Sequence, residues 1–383
     1  MQFSDIPEHN KLKRQLISGV ETGKVAQAVL FHGNEGNASL PIAIALSQYL
    51  NCQNKSEFDS CGECVSCVKA KKFIHPDIHF TYPVIPKSPS KPSLSTDFIK
   101  EWRAALKEMP YMNIYEWMNF IKAENKQGNI AVDECRSIIR TLSLKSFEGD
   151  YKIYIIWGAE NLAAAGNVLL KILEEPPPNT VFLLITYNKA AILNTIISRV
   201  QQIKVNKFSD KAVEEFLVNH ESLDAEAAKS ISRLADGNML SAMRMIDKKD
   251  ALNNYMFIDW LRYLLAISRK NDQMAYVHLN TWVDDIAKLG REQQKAFLKF
   301  AQFFLSETVS LFADRDSRLD DNEKELALYL KENYNAATLL EMQRIFNDMH
   351  YFIERNAHAK AMFFSNSLRI KNLLIQVDEP VKI

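Results

Sequence analysis

Three short apolar runs, each ended by a turn and followed by a helical pattern, constrain this chain more than any other feature. They are "AVLFHG" (28–33), "YKIYIIWG" (151–158) and "TVFLLIT" (180–186). Runs of this length with no polar alternation read as strands buried on both faces. The segments after them read as helices: "SLPIAIALSQYLNC" (39–52), "NLAAAGNVLLKILEEPPP" (161–178) and "AAILNTIISR" (190–199). Strands alternating with helices require a parallel sheet covered on both sides, an α/β core. "DIHFTYPVI" (77–85) is a further strand, and helices are expected over 8–22 and 131–144. From Phe208 onward the pattern is helical only: a small unit over 208–249, then an all-α segment over 250–383.

The chain's 383 residues exceed one typical domain. Formal net charge is zero, which argues against a protein that grips nucleic acid alone. No apolar run is long enough to span a membrane. The opening "MQFSDIPEHNKLKRQL" is polar and acid-bearing, unlike a signal peptide, so a cytoplasmic location with reduced thiols is expected.

The first strand runs into Gly33-Asn34-Glu35-Gly36-Asn37-Ala38-Ser39-Leu40. A working phosphate-binding loop is G-x-x-x-x-G-K-[ST]. Its backbone N–H groups and lysine hold phosphates, and its hydroxyl holds Mg²⁺. Here Gly33 and Gly36 remain, but Ala38 stands where the last glycine belongs, Ser39 where the lysine belongs and Leu40 where the magnesium ligand belongs. The strand that should end in a metal-holding acid ends in Trp157 and Gly158, with Glu160 two or more positions away. The strand, loop and helix imply a nucleotide-binding fold with no ATP or Mg²⁺ at its own site. The plainer alternative is that the two glycines only make a turn.

Cys52, Cys61, Cys64 and Cys67 form C-x8-C-x2-C-x2-C. Two-residue gaps let thiolates converge on one tetrahedral ion, and Gly62 helps the turn. Four soft ligands in a reduced compartment suit a structural zinc. An iron–sulfur cluster is the rival, although the ferredoxin pattern ends in a Cys-Pro that is missing here. Cys135, alone on an amphipathic helix, is expected in the core. The stretch "PKSPSKPS" (86–93) reads as loop. "FIKEWRAALKEM" and "MNIYEWMNFIKAE" read as two surface helices, so that about 86–127 is an insertion into the core.

"NVLLKILEEPPPNTVFLLIT" followed by "ILNTIISRV", the approach "LSLKSFEGDYKIYII" and the four-cysteine module after the loop helix closely resemble the AAA+ subunits of bacterial replicative clamp loaders. "LADGNMLSAMRMI" (234–246) stands where that family has its second sensor, and "ERNAHAKAMFFSNSLRI" (354–370) resembles the closing helix of its collar. Val200 replaces the cysteine of the family's S-R-C, and 86–127 has no counterpart in the shorter members. The degraded loop points to the delta-prime branch of the family. The resemblance implies an AAA+ core over 1–207, a helical lid over 208–249 and a collar that mediates oligomerisation over 250–383. It implies gamma/tau and delta subunits as partners, together with the sliding clamp, and primed DNA reached through the assembled complex. It further implies a DNA polymerase III role without intrinsic ATPase, in which Ser198 and Arg199 take the S-R positions and Arg199 acts in trans on a neighbour's ATP. Two alternatives stand beside it: an active gamma/tau-type ATPase, which would need the missing lysine, and a zinc-dependent nucleic-acid-binding module, for which "KAKK" (69–72) is the only hint.

Overall fold

The apolar runs do form strands, and the polar residues between them decide where each strand stops. The computed structural model describes residues 1–86, 93–123, 126, 128–142, 145–246, 251–270, 272–315, 317–355 and 357–375. The chain divides into two compact units, Met1–Ala242 and Met243–Ile383. The small helical region expected over 208–249 falls within the first unit as far as Ala242. Its expected border with the next domain lies at 247–250, outside the described residues.

In the first unit, α1 (Asn10–Glu21) leads to β1 (Ala28–His32), α2 (Ser39–Leu50) and α3 (Val65–Lys71). Next come β2 (Ile78–Thr81), α4 (Ile99–Glu108), α5 (Ile114–Phe120), α6 (Val132–Leu142) and β3 (Lys152–Trp157). A 3-10 stretch (Ala159–Leu169), α7 (Leu170–Glu174), β4 (Thr180–Thr186), α8 (Asn194–Ile197) and β5 (Gln201–Lys204) complete the α/β core. The five strands are parallel, in the order β2-β3-β4-β1-β5. Interior β1 sets Leu30 beside Leu184 of β4 and Gln202 of β5. Every residue of β3 and β4 is buried, as expected of strands covered on both faces. Helix α2 is buried on all sides because it carries almost no polar face. Three further helices, α9 (Asp210–Glu221), α10 (Ala225–Ala235) and α11 (Met239–Ile246), follow.

Four details depart from the sequence reading. Strand β5 was not anticipated, because "QQIK" is a polar edge strand and carries no apolar run. The single helix expected over 161–178 is instead a 3-10 stretch broken at Ala163 (φ +41°) and then five residues of α-helix. Ala159, Leu162 and Ala165 are buried at intervals of three, the period of a 3-10 turn. The helix expected over 190–199 contracts to a 3-10 turn at Lys189–Ala191 and the four residues of α8. The inserted helices are not surface helices: Trp102 of α4 and Trp117 of α5 are 0% exposed. Trp102 stacks on Tyr82 with ring centroids 3.9 Å apart, and meets Trp117 edge-on at 5.1 Å and Trp157 at 5.2 Å. The expected loop at 86–93 lies mostly outside the described residues, which resume at 93.

The second unit is helical throughout among the described residues, from the end of α11 through α12 (Ala251–Lys270), α13 (Gln273–Lys288), α14 (Arg291–Leu311), α15 (Asp321–Asn333), α16 (Ala336–Glu354) and α17 (Ala359–Ile375). Side chains cap three of these helices: Asp272 accepts from Met274 N–H, Asp320 from Glu323 N–H and Asn335 from Thr338 N–H. The apolar stretch 297–312 serves the unit's own core, where Phe297, Leu298, Ala301, Phe304 and Leu305 are 0% exposed.

Candidate nucleotide loop, thiolate centre and arginine

The loop at 33–40 keeps the shape of a phosphate cradle and fills it with its own side chain. Gly33, just past β1, lies so close to the Val205 carbonyl that a Cβ there would be 2.2 Å from it. Gly36 sits at φ +72°, and a Cβ there would lie 1.9 Å from Asn238 Oδ1, so only glycine fits. Asn37 is buried. Its Nδ2 donates to the Val205 carbonyl (3.2 Å) and its Oδ1 accepts the Ser39 N–H (2.9 Å). That amide stands at the lysine position, where a phosphate oxygen would be the acceptor. Ala38, Ser39 and Leu40 are all 0% exposed. The turn before α11 closes over the loop, with Met239 N–H donating to the Gly36 carbonyl at 3.1 Å. From the insertion, Asn113 Nδ2 donates to Glu35 Oε2 at 2.8 Å.

The strand tips beside the loop carry aromatics where a nucleotide-hydrolysing site has polar groups. Trp157 ends β3 and donates its indole N–H to the Tyr187 hydroxyl at 3.2 Å, just past the end of β4. Burial pushes the Tyr187 hydroxyl well above its ordinary range. The Tyr187 N–H donates to Glu160 Oε1 at 3.4 Å. Burial above all, with the charge of Glu35, pushes the Glu160 carboxyl up. Glu160, within reach of the charge of Glu35, and the Trp157–Tyr187 pair thus stand where a nucleotide-hydrolysing site has its metal-holding acid.

Arg199 lies in the same unit under opposite conditions. Ser198 caps the C-terminus of α8, its hydroxyl donating to the Thr195 carbonyl at 3.1 Å. Arg199 Nη1 donates to the same carbonyl at 2.9 Å and to Ser198 Oγ at 3.4 Å, and Nε donates to Glu174 Oε2 at 2.8 Å. The arginine side chain is about one-third exposed, at 31%. Val200, the next residue, is buried at 8% exposure. Glu174 lies in "LEEPPP", and nothing in the sequence joins it to a residue 25 positions away.

The four thiol sulfurs of Cys52, Cys61, Cys64 and Cys67 lie within 4.8 Å of one another. A tetrahedron of sulfurs about 2.3 Å from zinc has edges of about 3.8 Å; Cys52 to Cys61 is 3.6 Å and Cys61 to Cys67 is 3.9 Å. Backbone N–H groups point at the sulfurs: Cys61 to Cys52, Cys64 to Cys61 and Cys67 to Cys64, at 3.3–3.4 Å. Hydrogen bonds from the Cys64 and Glu63 backbone hold the Cys61 thiol down to about 6. The geometry and the donor set fit one tetrahedral metal ion. Gly62 takes φ +75° at the turn, packed on Gln2, whose amide donates to the Ser60 carbonyl at 2.6 Å. Asp59 accepts the N–H groups of Phe3 and Ser4, so the first residues strap the module down. Cys135 is buried in the sheet core, as expected.

The family model described as "DNA polymerase III, delta subunit" matches residues 8–209. The chain is 31% identical over 194 residues to DNA polymerase III subunit delta-prime of Yersinia pestis, covering 50% of this chain and 45% of that protein. It is 26% identical over 258 residues to DNA polymerase III subunit gamma of Buchnera aphidicola, covering 66% and 60%. The matched region thus spans about half of these relatives' own length. A gamma-subunit-related protein of Thermotoga maritima aligns over 94% of this chain and 99% of its own, at 15% identity and a TM-score of 0.40. The match over more than half of the sequence places this chain in the DNA polymerase III delta-subunit family, among the clamp-loader subunits of delta-prime type.

Proposed function

We propose that this chain is a non-hydrolysing subunit of the DNA polymerase III clamp loader, working in the cytoplasm beside gamma/tau and delta subunits to place the sliding clamp on primed DNA. It binds no ATP or Mg²⁺ of its own and offers Arg199, with Ser198 beside it, to ATP held by the adjacent subunit. Cys52, Cys61, Cys64 and Cys67 hold a structural zinc that shapes the module and takes no part in chemistry. The helical 250–383 region joins the collar of the assembled ring. The observation that carries the reading is the Asn37 carboxamide on the Ser39 N–H, at 2.9 Å. The acceptor a phosphate would supply is built into the chain, and the loop lacks the lysine that would make displacing it worthwhile. The insertion supports the same reading: its Asn113 engages Glu35, and its Trp102 packs on Trp157 at the tip of β3.

The test has two arms. The isolated protein should show no ATP turnover above a mock preparation and no heat of ATP binding. In the assembled loader, Arg199→Ala should leave assembly intact and lower clamp- and DNA-stimulated ATPase by about 10³- to 10⁵-fold at the site it serves. Arg199→Lys should rescue it poorly, since a point charge cannot reproduce the planar fork. Turnover in the isolated chain that a loop mutation abolishes would overturn the non-hydrolysing reading. An Arg199→Ala loader with unchanged ATPase would overturn the role in trans.

A further inference from the structure

We propose that Glu174 is a positioning residue for Arg199, holding the guanidinium so that its Nη2 stays open to an outside acceptor. This rests on the reading of Arg199 as a donor in trans. A guanidinium has five N–H donors in one plane. Within this chain Nε is taken by Glu174 Oε2 at 2.8 Å, and Nη1 by the Thr195 carbonyl at 2.9 Å and Ser198 Oγ at 3.4 Å. Nη2 has no acceptor among the described residues, so both of its N–H groups stay available. Three points of attachment fix the plane and direction of the guanidinium and leave the Nη2 corner open. Its two N–H groups diverge, so they offer one charge-assisted hydrogen bond to each of two acceptor oxygens and not a parallel two-nitrogen fork.

The position of Glu174 is itself unusual. It is the last residue of α7, followed by Glu175 and then by three prolines that forbid another turn. An acid in the last turn meets the partial negative charge of the carbonyl end, opposite to what helix stability favours. Its carboxylate is 58% exposed, so burial does not hold it in place either. The contact to Arg199 supplies the reason for an acid at this spot. A long arginine loses little freedom on reaching its partner if it is already held, which is the benefit of preorganisation.

The experiment is a double-mutant cycle in the loader reconstituted with gamma and delta subunits, read as stimulated ATPase. Glu174→Ala should lower kcat by about ten- to a hundredfold, the scale of a misplaced reacting group, with KM for ATP unchanged. Glu174→Gln keeps an oxygen for the Nε–H and should stay within about threefold of wild type, since the hydrogen bond and not the charge fixes direction. On an Arg199→Ala background, Glu174→Ala should cause no further loss. Thermal melting of the single variants should match wild type, separating positioning from folding. A Glu174→Ala loader with wild-type kcat, or one whose loss adds in full to that of Arg199→Ala, would overturn the positioning role while leaving Arg199 standing. A harmless Arg199→Ala would instead remove the reading on which it rests.

Discussion

The loop at 33–40 and the arginine at 199 belong to the same unit, and they differ in where their hydrogen bonds go. In the loop, the Ser39 N–H goes to Asn37, the Gly36 carbonyl to Met239, and Glu35 to Asn113. At Arg199, three of five donors are taken inside the chain and the Nη2 pair has no acceptor among the described residues. A buried polar group must find a partner, and a chain that gives up a ligand has to supply that partner itself. A group kept for an outside partner has to be held but left incomplete. The loop is closed mainly by internal satisfaction, although the buried Ser39 hydroxyl has no hydrogen-bond partner among the described residues; on the proposed reading, the arginine is aimed by partial satisfaction.

The closed side should be the costlier one to damage. Trp102 is fully buried between Tyr82, Trp117 and Trp157. Trp102→Ala should destabilise the first unit by about 3–5 kcal/mol, the range for removing a buried aromatic. Denaturant unfolding followed by fluorescence reads this directly. Trp102→Phe should be milder than Trp117→Phe. The Trp102 indole N–H finds no partner among the described residues, whereas that of Trp117 donates to the Pro83 carbonyl at 2.7 Å. If Trp102→Ala leaves the unfolding midpoint in place, the aromatic cluster does not hold the closed side.

The thiolate module offers a third way of satisfying a loop, by metal. Elemental analysis should find one zinc per chain, and Cys64→Ser should release it. Hydrogen exchange should then rise over 52–67 while the amides of β1, β3 and β4 stay protected, because the sheet has its own core. Iron in place of zinc, or no metal in a freshly reduced preparation, would refute the assignment. Exchange rising through the sheet would show that the module supports the whole unit.

Much of this was legible in the sequence because it rests on local pattern. The four cysteines declare themselves by spacing, and the structure brings their sulfurs within 4.8 Å of one another. β3 and β4 declare themselves by unbroken apolar runs. The substitutions at Ala38, Ser39 and Leu40 are visible as departures from a motif. What could not be read was pairing over distance. Asn113 and Glu35 are 78 positions apart, and nothing local marks either as the other's partner. The burial of Trp102 and Trp117 was missed for a related reason: an amphipathic helix announces an apolar face, but not what that face will meet. Strand β5 was hidden because edge strands are polar where they face water.

Asp77 tests whether the contrast between the two faces survives a change that touches neither. It is 2% exposed and accepts the N–H groups of Phe147, Glu148 and Gly149 at 2.6–2.8 Å, pinning the turn before β3. Burial alone would push its carboxyl up, but the three N–H groups together hold it below its ordinary 3.8. A carboxyl depressed in the folded state stabilises above its unfolded value, and that stability drains away as pH falls through the folded one. The acid limb below about pH 4 should therefore flatten in Asp77→Asn. At neutral pH the same change should cost about 1–3 kcal/mol, since one amide oxygen cannot serve three partly buried donors. Arg199-dependent ATPase of the loader should be unaffected. An unchanged acid limb would show that Asp77 is not what links this turn to pH.

The smallest expected effect is also the most discriminating. Asn113 joins the insertion to the loop by one hydrogen bond to Glu35, an exposed carboxylate. Asn113→Ala removes it together with the α5 N-cap on the Glu116 N–H, and should cost about 1 kcal/mol, because water can replace the lost donor at Glu35. Nucleotide binding should still be absent, since Asn37 continues to fill the Ser39 N–H and Ala38, Ser39 and Leu40 are unchanged. Asn37→Ala makes the informative pair. It frees that N–H and leaves the Val205 carbonyl without its 3.2 Å donor, so it should cost more than Asn113→Ala. Even so, it should bind ATP no better than wild type, because no lysine reaches a β- or γ-phosphate. Titration calorimetry on both variants separates two origins of the closed site. If Asn113→Ala alone admits ATP, the insertion is the closure and the loop is competent beneath it. If only Asn37→Ala does, the self-capping carboxamide is the barrier. Silence in both places the loss in the substituted residues themselves, and the hydrogen bonds around them are then the consequence of an abandoned site and not its cause.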